Sequence, residues 1–240
     1  MFKKYSTFLV VCMALTFDMR AQDTMDSIAV KQTKYEFTPH VDLGPIGGLM
    51  WNQYNITPLY THHNFYEGYI LGYNLGASFL WQPQKWIGLR SDLTLISKAH
   101  AFSYAGISGN TVYDWYFQLP IMADFSWKIK QFRIHTDVGL FFGCFATSFQ
   151  LGEFNSLANN GDDAWFDYSY LEFDRQSIKR FEMGYATTLG VSYYISEHFR
   201  ILAEGALFYG LSDTYNASPV SPNPAYNTTF GFNLGAYWAL

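Results

Sequence analysis

Two sets of residues in this 240-residue sequence have the types and spacing of reacting groups. His135 and Asp137 lie two apart, which on an extended strand puts both side chains on one face, as a carboxylate that orients a histidine base requires. No Ser or Cys is tied to them by spacing, and Arg133 continues the same face, so the pattern suits a salt-bridged ladder better than a catalytic pair. His62-His63 offers imidazole nitrogens, but adjacent residues on an extended chain point apart. No Cys, His or Asp at the spacing of a metal site follows them. The expectation is a chain with no catalytic residue, no metal site and no cofactor.

The charges that remain form a wider set: Asp42, Arg90, Asp92, Asp124, Arg133, Asp137, Glu182, Arg200 and Glu204. Strands must position them, because each sits in a segment where apolar and polar residues alternate at period two. The clearest segment is the last, where Phe230, Phe232, Leu234, Ala236, Trp238 and Leu240 alternate with Gly231, Asn233, Gly235, Tyr237 and Ala239. The same rule holds for Phe199–Leu211, Phe181–Ile195, Phe132–Cys144, Trp115–Lys128, Ile87–Lys98 and Tyr69–Trp81, and more weakly for a first strand near Tyr35–Leu49. That makes eight strands, with every in-strand charge on one side and none on the apolar side. A Lys or Arg facing lipid at mid-bilayer costs about 2–4 kcal/mol, so a bilayer enforces this segregation. Buried as a compensated network, the nine charges have a structural role; as a conduction path they would need more room than an eight-stranded barrel leaves beside its own side chains.

Composition narrows the class. Aromatic residues make up 20% and charged residues only 15%, unusual for a water-soluble domain. The net charge of -5 comes without a basic run, which sets nucleic acid aside. Lys3-Lys4, the apolar Ser6–Phe17 and Met19-Arg20-Ala21 read as an export signal cleaved after Ala21. Acylation at Cys12 is disfavoured by the bulky Val11 and by the apolar run continuing past it. Removal of residues 1–21 leaves Cys144 alone, so no internal disulfide forms. Beyond the signal no stretch approaches the roughly 18 apolar residues of a membrane-spanning helix. A closed barrel is the other structure that satisfies every backbone group in hydrocarbon. The expected fold is all-β: an eight-stranded antiparallel up-and-down transmembrane β-barrel over residues 22–240, with a short periplasmic N-terminal segment.

The connections alternate in length. Trp81–Trp86, Trp127–Phe132 and Ile195–Phe199 read as tight turns, whereas Asn52–Gly68, Ala99–Tyr113, Gln150–Arg180 and Ser212–Thr228 read as long loops. Outer-membrane barrels have short periplasmic turns and long outer loops, so both chain ends are expected in the periplasm. Trp81, Trp86, Trp127, Phe132, Tyr193 and Phe199 would form an aromatic girdle at the turn end. Pro120, which lacks an N–H, marks a bulge or irregularity within its strand. In the third loop Trp165, Phe166, Asp167, Tyr168, Tyr170 and Glu172 interleave aromatics with carboxylates, a candidate surface for an envelope protein or for lipopolysaccharide; the alternative is that the strands simply extend there as a hairpin.

With these residues in view, the chain resembles the PorT-like outer-membrane barrel family of Gram-negative bacteria. The likeness rests on Trp86-Ile87-Gly88-Leu89-Arg90-Ser91-Asp92, on Tyr116-Phe117-Gln118-Leu119-Pro120-Ile121 and on the C-terminal strand. In that strand Asn233, Gly235, Trp238 and Leu240 look like the assembly signal read by the barrel-insertion machinery. The resemblance implies outer-membrane localisation and contact with outer-membrane lipid and lipopolysaccharide. The functional expectation is a non-enzymatic structural or accessory component of an envelope assembly, protein secretion among them. The alternatives are a barrel-rim hydrolase acting on lipid or peptide, and a narrow transporter.

Overall fold

Alternation at period two dictates strands, and ten form along the chain: β1 (His40–Ile56), β2 (Phe65–Tyr66), β3 (Ile70–Gln82), β4 (Ile87–Tyr104), β5 (Ser108–Ile129), β6 (Phe132–Asn155), β7 (Ala164–Leu171), β8 (Phe181–Tyr194), β9 (Phe199–Gly210) and β10 (Ala225–Ala239). The computed structural model describes residues 38–56, 65–66, 69–104, 108–155, 164–171, 179–213 and 225–240. The export signal 1–21, Cys12, the segment 22–37 and His62-His63 lie outside the described residues.

Eight strands close into a ring in the order β1, β3, β4, β5, β6, β8, β9, β10, each antiparallel to both neighbours. The closing pair runs from Asp42 opposite Ala239 to Ile56 opposite Ala225. The fold is therefore a closed eight-stranded antiparallel up-and-down β-barrel, and the ring leaves no free edge. β2 pairs with β4 and β7 with β6, both outside the ring. Leu240 and the start of β1 sit together at the end that carries the short turns, Leu240 N donating to Val41 O and Ala239 N to His198 O.

Burial along each strand is the inverse of a water-soluble barrel. The outward row is apolar and open, with Leu75 at 70%, Leu189 at 65% and Phe181 at 72% exposure, while Arg90, Asp124 and Glu204 are buried. Leu71 to Trp81 on the outer face of β3, at about 3.4 Å per residue and a tilt of about 40°, covers ~26 Å of height, close to the apolar band of a transmembrane barrel. At the turn end Phe132 stacks with Tyr193 (centroids 5.2 Å) and Phe199 with Trp238 (4.8 Å), beside exposed Trp81 and Trp86. At the opposite end Tyr69 meets Phe230 and Tyr73 meets Trp115. Two aromatic belts thus bound the apolar band.

Three expectations need correction. The first strand is β1, His40–Ile56, and continues from Asn52 to Ile56 where a loop was expected; pairing with β10 carries it past the point where its own alternation fades. The connection expected over Ala99–Tyr113 is mostly ladder, since β4 and β5 pair from Ile87 opposite Phe125 up to Tyr104 opposite Ser108. The third loop is likewise shortened, in the way the hairpin alternative described: β6 extends to Asn155 and β7 folds back on it. Pro120 marks a local irregularity, as expected, though not a bulge: the register shift in the β5–β6 pair falls at Trp115/Tyr116. Pro120 keeps its register opposite Phe141, and on its other side the β4–β5 ladder skips between Ser91–Ile121 and Thr94–Gln118. A missing N–H interrupts one ladder without adding a residue, so nothing displaces the register.

Candidate functional site

The inward face of the ring is where polar chemistry collects, because a residue two positions along a strand returns to the same side. All nine charges singled out from the sequence point there and are buried. Near the short turns Arg200 on β9 donates to Asp42 on β1 at 2.6 Å and to the Ser192 hydroxyl, and Arg133 on β6 donates to Asp124 on β5 at 2.6 Å. The Arg200 guanidinium also lies 4.5 Å from the Tyr237 ring centroid.

Arg90 anchors the middle tier. Its Nε and Nη2 donate to the two oxygens of Asp92 at 3.0 and 2.9 Å, its Nη1 to Asp137 at 2.8 Å, and Nη1 and Nη2 to Glu204 at 2.5 and 2.9 Å. Each carboxylate is held again from the far side. Ser78 donates to Asp92 and shares a hydrogen bond with the Tyr237 hydroxyl, Thr188 donates to Asp137 at 2.6 Å, and Asn233 donates to Glu204 at 3.0 Å. One guanidinium thus ties β3, β4, β6, β8, β9 and β10 together.

At the loop end Lys98 pairs with Glu182 and lies 4.9 Å from the ring centroids of both Tyr116 and Phe141. Those rings belong to an interior apolar cluster with Met50, Ile96, Met122, Phe145 and Phe208. Above it Ser148 donates to Asp114 at 2.7 Å, and His100 lies 3.5 Å from the same carboxylate.

The nine-residue set is therefore incomplete. Lys98 and Asp114 belong to the same interior, as do the neutral partners Ser78, Thr188, Asn233 and Tyr237. Lys98 carries the right parity and was visible as an inward residue. Asp114 falls between the loop expected over Ala99–Tyr113 and the strand expected from Trp115, whereas the β4–β5 ladder runs through it, opposite Lys98.

His135 and Asp137 do converge, with Glu204: His135 Nε2 lies 3.2 Å from Glu204 and 4.0 Å from Asp137. The three could in outline ligate a cation, their ligand atoms lying within 4.8 Å of one another. Arg90 Nη1 already bonds the same two carboxylate oxygens, so a guanidinium holds the place a metal ion would take. The recorded partners of His135 are the carboxylates of Glu204 and Asp137; Ser126 stands opposite it in the β5–β6 ladder, with its hydroxyl accepting from Gln82 Nε2. Cys144 is half-buried, on the outward row.

Of the proposed assembly signal, Asn233 is buried inside whereas Trp238 and Leu240 are exposed outside, so its members divide between the two faces of β10. Trp165, Phe166, Asp167, Tyr168 and Tyr170 lie on β7, paired with β6 from Ser148 opposite Leu171 to Asn155 opposite Ala164. Glu172 lies outside the described residues.

No family model matches the chain, and no curated protein matches it. Among solved structures it is similar to the outer membrane protein OprG of Pseudomonas aeruginosa, at 10% identity and TM-score 0.43, over 84% of this chain and 97% of that one. It is also similar to Neisserial surface protein A, at 10% identity and TM-score 0.41, over 80% and 95%. A third is Ail, the attachment invasion locus protein of Yersinia pestis, at 10% identity and TM-score 0.39, over 83% and 99%; it was solved in complex with the heparin analogue sucrose octasulfate.

Proposed function

We propose that this chain is an exported, non-enzymatic outer-membrane barrel that acts as a structural or accessory component of an envelope assembly, related to the PorT-like proteins. The observation that carries the reading is the inverted distribution of charge: an apolar outer band bounded by aromatic belts around an interior of ion pairs and packed rings. Such a barrel anchors what its loops present and conducts nothing, because Arg90 and its three carboxylates, together with the cluster at Tyr116 and Phe141, fill the lumen.

In this reading residues 1–21 are removed on export, the turn end and both termini face the periplasm, and lipid and lipopolysaccharide contact the outer band. The barrel-insertion machinery reads the last strand through Asn233, Gly235, Trp238 and Leu240.

Expression of the full chain in a Gram-negative host tests it. The protein should fractionate with outer membranes, begin at Gln22 by N-terminal sequencing, and change its gel mobility on heating as a folded barrel does. It should give no sustained conductance in planar bilayers, and recovery in the soluble periplasm or a stable open channel would overturn the proposal. Secretion and envelope integrity in a deletion strain of the native host then measure the accessory role.

A further inference from the structure

The ring has no edge, but β7 does. Among the described residues β7 pairs with β6 on one side only, because β6 is shared: its first part, from Phe132 to Cys144, pairs with β8, and its extension, from Ser148 to Asn155, pairs with β7. Exposed edges are ordinarily blunted by Lys, Pro, bulges or short length. β7 runs eight residues, Ala-Trp-Phe-Asp-Tyr-Ser-Tyr-Leu, with Asp167 as its one charge, no Pro and no register shift against β6. Its aromatics also favour extended chain.

We propose that β7 is a docking edge to which an extended, basic segment of a partner protein adds as a further strand. Backbone hydrogen bonds supply affinity in this mode, and side chains of the added strand supply selectivity. The charge of the occupant follows from the sequence around the edge: from Leu157 to Arg180 it carries five acidic residues, Asp162, Asp163, Asp167, Glu172 and Asp174, against three basic ones, Arg175, Lys179 and Arg180, and the acidic ones flank β7 on both sides and lie within it. A second copy fits poorly. Two barrels in one membrane are related by an axis along its normal, and strands tilted by about 40° cross at such an axis instead of aligning into a ladder. This inference rests on the outer-membrane reading above and names the mode of contact for its loop surface.

The probe is a short synthetic peptide of alternating threonine and valine with a lysine at each end, added to the full-length protein folded in detergent micelles. Binding is followed by fluorescence anisotropy, and β7 by amide hydrogen exchange. Successive β7 amides point alternately to β6 and outward, so exchange in the free protein identifies which of Tyr168→Pro and Ser169→Pro removes an outward N–H. Saturable binding should protect the outward β7 amides, and the outward proline variant should weaken it at least about tenfold. Tyr168→Phe should bind as wild type does. Binding without protection of β7, an outward proline variant that binds equally well, or protection of the outward amides by self-association before any peptide is added would each overturn the proposal. Heat-dependent gel mobility of every variant reports the barrel itself, so failure of the docking edge is separable from failure of the outer-membrane reading.

Discussion

Arg90 on β4 and Glu204 on β9 are joined across the lumen by two hydrogen bonds, at 2.5 and 2.9 Å, between residues 114 apart in the sequence. The pair ties opposite walls of the ring, and Asp92 and Asp137 complete the set around the same guanidinium. Buried ion pairs are costly to break because the surviving partner stays desolvated, typically by about 3–5 kcal/mol. Arg90→Met leaves three buried carboxylates without their cation and should destabilise the barrel by at least that order. Arg90→Lys should recover only part of it, since an ammonium cannot reproduce the planar fork that meets Asp92 and Glu204 together. Reversible urea unfolding in lipid vesicles measures both, and an Arg90→Met barrel as stable as wild type would remove the network from any structural role.

The outer band predicts a graded response to charge. Leu75 stands near mid-height of the apolar face of β3, whereas Ile87 lies beside the turn that follows β3. Leu75→Arg should cost about 2–4 kcal/mol and Ile87→Arg about 0–1 kcal/mol, the depth dependence that a bilayer imposes. Equal costs at the two positions, in the same vesicle assay, would argue against a membrane around β3.

Much of the barrel was legible because parity is a local property. Each of the nine charges could be assigned a side from its own strand, and each is buried on that side. Strand ends were less legible. Nothing between Ala99 and Tyr113 alternates strongly, and that ladder forms because β4 and β5 hold each other by backbone hydrogen bonds that no side-chain pattern records. The pairing of charges was not legible at all. Arg90 reaches Glu204 through ring closure, and whether Arg133 meets Asp124 or another carboxylate depends on strand tilt and register.

Close packing between strands makes several glycines sensitive, Gly76 among them. A Cβ on Gly76 would run into the Leu93 carbonyl and approach Thr94 Cα to 2.6 Å, and both are backbone atoms that cannot rotate away. Gly76→Ala should therefore force β3 and β4 apart and destabilise the barrel by about 1–3 kcal/mol, the usual cost of overpacking. Gly205→Ala is the control, since a Cβ there meets nothing nearer than 3.9 Å. The contrast is read as a difference in urea midpoint between the two variants.

Asp124 and Asp137 give a prediction of the opposite sign. They stand directly opposite each other in the β5–β6 ladder, both fully buried, and like charges so placed repel. Arg133 donates to Asp124 Oδ1, and Arg90 and Thr188 donate to Asp137 Oδ2, which leaves Asp124 Oδ2 and Asp137 Oδ1 with no donor. Asp124→Asn keeps the shape and an acceptor for Arg133, and its new amide N–H can serve Asp137 Oδ1. A neutral donor in place of a second carboxylate satisfies a buried atom and removes the repulsion, which should outweigh the weakened pairing with Arg133. The variant is expected to melt at or above the wild-type temperature in vesicles, whereas Asp124→Leu, which strands Arg133 without adding a donor, should melt well below it. If Asp124→Asn instead falls as far as Asp124→Leu, the full charge of Asp124 is what Arg133 requires.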